Sequence, residues 1–411
     1  MLSPGEWRKP LRKNDRGGIA TSPAGIADPR NLMLQAFSLS WFRFVLEPEN
    51  RVALHPRNPG NTLRGAFGST FKRLVCPTPA DCRETCRLKA TCPHGQIFEP
   101  SPPPGADRLS LNQDIPRPFV FRPPNGIETT ARPGEVIQFD LILIGKALDY
   151  FPYFLVTFRE LGDQGIGLGR GRYEISRVMQ LDPLPAFRVP QPASGNQIGE
   201  SGQRITDSGA IEIYSAKDQL VRPSQSRLTF QDCHLAAEQL TISGLQTAGS
   251  VERSADCGWR IAGCGARLAE GGSRSADSGM RIMIRFLTPT LLKADGRIVE
   301  RPEFHHLIKR LRDRINALAH FYCDDALDID FKAFGERAEA VRTASCRIRW
   351  EDRDRRSWKT GLTHDMGGFV GDVTYEGDLE EFLPLLILGQ YTHVGKYAVW
   401  GHGQYEILQK D

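Results

Sequence analysis

"THVGKYAVWGHGQYEI" runs from Thr392 to Ile407 and holds three glycines, two histidines, one lysine and three aromatic residues. It follows "DLEEFLPLLILGQY", an apolar run of helical length with an acidic start. It closes in an alternating stretch that reads as a strand. The order helix, glycine-rich loop, strand occurs once before. There "LDYFPYFLVTFRELG" leads into "GIGLGRGRYEISRV" (Gly165–Val178). Two copies of so particular an element imply two copies of one fold.

Working outward from each copy gives the same order of elements. In the first half, "FSLSWFRFVL" (Phe37–Leu46) alternates as a strand with one buried face. "NTLRGAFGSTFKRLV" reads as a helix capped by Asn61, with Leu63, Phe67, Phe71 and Leu74 on one side. "RPFVFRPP" and "EVIQFDLILIG" are further strands. In the second half, "MRIMIRFLTPTLL" is a strand and "PEFHHLIKRLRDRINALAHFYC" a long helix. "ASCRIRW" and "GGFVGDVTYEG" are strands, "DLEEFLPLLILGQY" a helix capped by Asp378, and "KYAVWGHGQYEIL" a final strand. Strand, helix, strand, strand, helix, strand is the split βαβ pattern. The fold class expected is therefore α+β, with tandem ferredoxin-like (RRM-like) domains at 33–182 and 280–411. Residues 1–32 lack periodicity and read as a mobile tail. Residues 76–104 form a Cys- and Pro-rich excursion, and 183–279 a linker or insertion. Within that insertion "IEIYSAKDQLV" and "RLTFQDCHL" read as strands, and 243–279 as a Gly-, Ser- and Ala-rich loop.

Composition bounds the function. A chain of 411 residues suits two domains. Its 40% hydrophobic and 25% charged residues are those of a globular protein. No apolar run reaches the roughly 18 residues of a membrane span, and the N-terminus lacks a signal-peptide core. A cytoplasmic protein with no membrane partner is expected. The formal net charge is only +4, yet 41 of the 53 basic residues are arginine. The guanidinium fork suits phosphates and bases, so a polyanion partner fits; a GC-rich genome favouring arginine codons gives the same composition. The glycine-rich loops precede strands, which is the wrong order for a dinucleotide-binding turn.

Nine cysteines in a reducing compartment argue against a disulfide framework. "CPTPADCRETCRLKATCPHG" gathers Cys76, Cys82, Cys86 and Cys92 in one loop, with His94 just after. Four thiolates at such spacing suit a tetrahedral structural zinc. The gaps of five, three and five residues differ from a paired CxxC knuckle, so reduced free cysteines are the alternative.

Five stretches together, "GNTLRGAFGSTFKRLVCP", "CRLKATCPHGQIFEP", "GIGLGRGRYEI", "FLTPTLLKADGRI" and the C-terminal run from Gly367 to Ile407, carry a resemblance. They resemble the CRISPR-associated pre-crRNA processing endoribonucleases of the RAMP superfamily. The resemblance implies a metal-independent ribonuclease that cuts the repeat of a long CRISPR transcript. The 2′-hydroxyl beside the scissile phosphate would attack, leaving a 2′,3′-cyclic phosphate and a 5′-hydroxyl. It implies CRISPR repeat RNA as substrate, guide RNA as product and subunits of an interference complex as partners. A non-catalytic RNA-binding RAMP subunit of such a complex is the alternative. No cofactor is implied for catalysis.

The reaction needs groups that move protons and positive charge on the phosphorane. By resemblance, His55 occupies the region of the first domain that supplies an active-site histidine. His393 in "THVGK" sits at a family-typical position, with Lys396 as a phosphate contact and Tyr391 as a proton donor or base-stacking ring. For RNA binding, glycines let backbone N–H groups approach a polyanion. The candidates are Gly167, Gly169, Arg170, Gly171 and Arg172 in the first loop, and Gly395, Gly401, His402 and Gly403 in the second. Arg64 and Lys72 give the first helix a basic edge. Each also has a structural reading, as a packed or loop-fastening side chain. His305, His306 and His320 on the long helix read as structural or solvent-facing, and His364 as a weak candidate.

Overall fold

Alternation along β1 (Ser38–Pro48) sorts its side chains onto two faces. Phe42, Phe44 and Leu46 enter one core, while Leu39 and Trp41 join another. The computed structural model describes residues 32–77, 86–89, 91–100, 115–124, 129–184, 210–224, 227–244, 280–356 and 363–408. Of the tail expected at 1–32, residues 1–31 lie outside these residues and Leu32 is buried in the core; of the loop expected at 243–279, residues 245–279 lie outside and 243–244 end a helix.

Strand β1 is central to the first sheet. It pairs antiparallel with β3 (Ile137–Ile144) on one side and β4 (Tyr173–Leu181) on the other. Beyond them lie β2 (Phe119–Arg122) and β5 (Ile211–Ser215), giving the order β2-β3-β1-β4-β5. Helices α1 (Pro59–Val75) and α2 (Phe151–Gln164) cover one face. This is a ferredoxin-like fold with one added edge strand and a two-residue strand, Leu228–Thr229, paired to the start of β1. Phenylalanines dominate its core: Phe67 lies 4.6 Å from Phe154, nearly parallel, and Phe42 lies 4.6 Å from Phe151. Phe67 also meets Phe71, Phe98, Phe119, Phe121 and Phe158. Truncating it to alanine is expected to cost about 3–5 kcal/mol, read as a lowered urea midpoint at unchanged slope.

The second sheet repeats the topology. Its strands are β6 (Met280–Thr290), β7 (Arg342–Glu351), β8 (Gly368–Gly377) and β9 (Tyr405–Leu408). They pair antiparallel in the order β7-β8-β6-β9. Helices α4 (Phe304–Tyr322), α5 (Phe331–Ala340) and α6 (Leu383–Thr392) accompany it. Among the described residues no helix is long and apolar enough to cross a membrane.

Helix α6 explains the run that decides the fold. A helix apolar on every side must be buried on every side. All of Leu383–Gly389 is buried, as are Tyr391 and Thr392. One side packs on α4 and β9 of its own domain; the other meets β2 of the first domain and α3 (Phe230–Gly244). Leu39, Val120, Ile142 and Ile144 bring the outer face of the first sheet into the same core. The run "LILI" in β3 is therefore continuous because both its faces are covered.

Several local expectations change. "RLTFQDCHL" is mostly helix, since Thr229 and Asp232 form reciprocal bonds at its start (2.8 and 3.2 Å). Phe230, Cys233, Ala236 and Ala237 then bury one side. Helix α1 starts three residues early, at Pro59 after Asn58, so Asn61 lies inside it and is not the cap. Asp378 does not cap α6, because a short 3₁₀ turn, Glu380–Phe382, intervenes. The final strand is short, since Ala398–Trp400 is also a 3₁₀ turn. Helix α5, capped by Asp330 through bonds from the N–H groups of Lys332 and Ala333, had no sequence expectation.

Candidate active site at the seam between the two domains

The turn between β1 and α1 carries His55. Its backbone N–H donates to Thr62 Oγ1 (3.3 Å) and its carbonyl accepts from the Asn58 N–H (3.1 Å). The side chain is exposed. The glycine-rich loop of the first domain clasps the strand just before it: the Leu168 N–H donates to the Ala53 carbonyl at 2.7 Å. Gly167 has φ +74, and a Cβ there would overlap that same carbonyl. Leu168 (58% exposed) and Arg170 project outward, as does Arg172, which pairs with Glu49 at 3.0 Å. Gly169 faces open space, while Gly171 is buried against Arg51 and Val52.

The second domain closes on the same turn. The Arg353 guanidinium donates to the Arg57 carbonyl. Asn58 Nδ2 approaches Met366 Sδ at 3.7 Å. The Tyr397 hydroxyl donates to the Asp365 carbonyl at 3.0 Å, and the exposed Lys396 precedes it. Residues 354–356 and 363–365 form a short hairpin beside this contact, with His364 opposite Arg355. The first glycine-rich loop thus meets the strand before the His55 turn through its backbone, while the second domain reaches that turn through the side chains of Arg353 and Met366, and the loop of Lys396 joins Asp365 through Tyr397.

Other candidates are placed differently. His393 is 0% exposed. Its Nδ1 lies 3.0 Å from the His402 carbonyl, and Nε2 accepts from Arg122 Nε–H at 2.9 Å. These partners require a neutral ring with the proton on Nδ1. Burial first, then the Arg122 charge, pushes its pKa well below the usual value. Arg122 also donates to the Gln390 carbonyl and lies over the rings of Trp41 and Tyr391 (5.3 and 5.5 Å). The Tyr391 hydroxyl is buried and donates to the Pro183 carbonyl. Direct contact with RNA was expected of His393, Tyr391 and His402, yet all three are enclosed, and His393 fastens the loop to Arg122 of the first domain. Gly401 and Gly403 likewise serve close approach inside the protein: a Cβ on Gly401 would lie 2.7 Å from Pro123 Cδ. Gly395 is half-buried against Leu291. Arg64 is no basic edge either, because its guanidinium is buried between Phe98 (4.5 Å) and Trp400 (4.2 Å). Lys72 is half-buried in the last turn of α1, about 20 Å along the helix from Pro59.

Sequence reasoning passed over Arg122 and named Arg353 only as one of a basic run, Arg349, Arg353, Arg355 and Arg356, with interleaved acids. Arg122 ends an apolar strand and looks like a solvated terminus, and its partner lies 271 positions away. Arg353 sits in "RWEDRDRR", which reads as a self-neutralising charge run.

Three histidines are neutral because they are buried. His94 and His402 are each lowered to about 4, burial being the main cause, and His393 lies well below its usual value. A folded-state pKa below the unfolded one gives stability that is present above about 6.5 and lost as pH falls. Each group adds a slope of about 1.4 kcal/mol per pH unit in that window. Urea midpoints are expected to fall between pH 7 and pH 5, and to fall less steeply in a His402→Gln variant.

The cysteine loop is only partly described. Cys92 is buried and Cys76 and Cys86 are half-buried, while Cys82 lies outside the described residues. Among the described residues, these thiols do not bring three ligand atoms within 4.8 Å of one another. His94 packs against Phe71 and Phe98 (5.8 and 5.2 Å).

Comparison with known proteins accords with this architecture. Residues 37–208 match a family model described as an N-terminal domain. Residues 284–405 match the model of the CRISPR-associated endoribonuclease Cas6. No curated protein matches the chain. Among solved structures, a Cas6 product complex is 16% identical, with 90% of this chain and 99% of that chain covered and a TM-score of 0.45. Thermus thermophilus Cas6 is 15% identical over 91% of this chain and 100% of that chain, with a TM-score of 0.43. A partial Cas6-RT-Cas1–Cas2 complex is 12% identical over 91% of this chain and 46% of that chain, with a TM-score of 0.47. The second domain, residues 284–405, is thus similar to the family of CRISPR-associated endoribonucleases Cas6.

Proposed function

We propose that this protein cuts CRISPR repeat RNA in a precursor transcript without a metal ion, releasing guide RNAs. The observation that carries the reading is the exposed imidazole of His55, held at the seam where both domains grip its turn. His55 takes the proton from the 2′-hydroxyl or delivers one to the leaving 5′-oxygen; an imidazole serves either step near neutral pH. The 2′-oxygen-to-phosphorus bond forms as the bond to the 5′-oxygen breaks. The products are a 2′,3′-cyclic phosphate and a 5′-hydroxyl. Arg57, Arg170 and Lys396 supply positive charge to the RNA backbone. His393 and Tyr391 act as positioning residues in this reading, because their polar atoms hold the C-terminal loop.

The test is incubation of the whole chain with labelled repeat RNA in excess EDTA. A cut at one position supports the reading. Tight binding with no cut favours a second one, a non-catalytic RNA-binding subunit of an interference complex. The enclosure of His393, His402 and Tyr391 gives that alternative its support. Guide RNA and subunits of such a complex are the proposed partners under either reading.

We also propose a structural zinc held by Cys76, Cys82, Cys86 and Cys92, whose thiolates would close the site and keep the metal out of the chemistry. Protein purified without chelator is expected to hold about one zinc equivalent in that loop, lost in a Cys86→Ser, Cys92→Ser variant that still cleaves. Metal content unchanged by that variant would refute the assignment.

A further inference from the structure

The start of α4 carries three side chains that the seam does not use. Glu303 precedes the helix, and His305 and His306 lie in its first turn. One ligand atom of each lies within 4.8 Å of the other two. His305 Nδ1 stands 3.6 Å from a Glu303 carboxylate oxygen, and the two imidazole centroids are 4.0 Å apart. A tetrahedral ion with bonds of about 2.1 Å holds its ligands about 3.4 Å from one another. The existing spacing is therefore close to a ligand set.

A second observation points the same way. Nδ1 of His306 is shut off from solvent and has no hydrogen-bond partner among the described residues. A buried polar atom left so carries an unmet desolvation cost, which a bound ion or its water would remove. His306 also lines a groove of about 470 Å³ with Asp295, Arg297, Glu300 and Arg301.

We propose that Glu303, His305 and His306 bind one divalent transition ion of the zinc class, with water completing the shell. Two imidazoles and one carboxylate form a borderline donor set. Such a set suits zinc, cobalt or nickel, whereas calcium and magnesium prefer all-oxygen shells. The helix N-terminus opposes a cation, so the Glu303 charge is what makes the site tolerable. The sequence alone sets these histidines aside, because neighbours on a helix point in different directions. The contribution of Glu303, just before the helix, becomes visible only in three dimensions. The site is separate from the cysteine loop, which lies in the first domain, and does not rest on the cleavage reading.

The test is titration of the chelator-stripped whole chain with Co²⁺, followed by visible absorption. The expected result is two equivalents, one with the sulfur-to-metal band of the cysteine loop and one with d–d bands alone; only the second remains in the Cys86→Ser, Cys92→Ser variant. Glu303→Gln is expected to weaken that binding at least tenfold, and His305→Ala with His306→Ala to abolish it. Circular dichroism reports whether the double variant folds. Should it not fold, Glu303→Gln decides alone, since that carboxylate is exposed. Absence of uptake, uptake only with a sulfur band, or undiminished affinity in Glu303→Gln would each overturn the proposal.

Discussion

His55→Ala is expected to bind repeat RNA as the native protein does and to cleave it about 100- to 10,000-fold more slowly, the usual contribution of a positioned acid or base. The substitution is mild for the fold, because the side chain is exposed and the turn is held by backbone atoms. Single-turnover cleavage under saturating protein separates the chemical step from binding. His393→Ala should behave in the opposite sense. It removes the acceptor of the buried Arg122 and loosens the C-terminal loop. Loss of stability is then expected to accompany any loss of rate. Equal cleavage by native protein and His55→Ala would remove His55 from the chemistry.

Gly403→Ala is expected to destabilise the chain by about 3 kcal/mol or more, as two costs add. Gly403 has φ +70, a conformation that costs a residue with a Cβ about 1 kcal/mol or more. The added Cβ would also overlap the Val394 carbonyl oxygen, which lies 1.8 Å from its position. The Val394 N–H donates to the Gly403 carbonyl at 3.1 Å, so the two backbones have no slack between them. The loop would have to open, and Trp400 would leave the stack on Arg64. Thermal denaturation measures this directly. Gly169→Ala is the control, since nothing lies within 4 Å of its Cβ position; only the strain of φ +82 remains.

Much of the fold is legible because it is written in local periodicity. The alternation of Phe42, Phe44 and Leu46 and the apolar surround of α6 can both be read from short windows. What covers α6 cannot be read that way. Its outer side meets β2 and α3, which precede it by more than a hundred residues. The site divides along the same line. His55 is marked out by the resemblance, through its place in the turn between the first strand and the first helix. The enclosure of His393 could not, since it depends on Arg122 in the other domain. The glycines announce a backbone in close quarters, and they are silent on whether the neighbour is RNA or protein. At Gly167 and Gly403 the neighbour is protein.

The central claim is that the substrate supplies its own nucleophile at a site built around His55. The most direct measurement uses a repeat RNA carrying a single 2′-deoxy nucleotide on the 5′ side of the cut. The account predicts unchanged binding and no cleavage at that position, in EDTA or with added magnesium. Cleavage of the deoxy substrate at the same phosphate would contradict it, because an external nucleophile would then be doing the work.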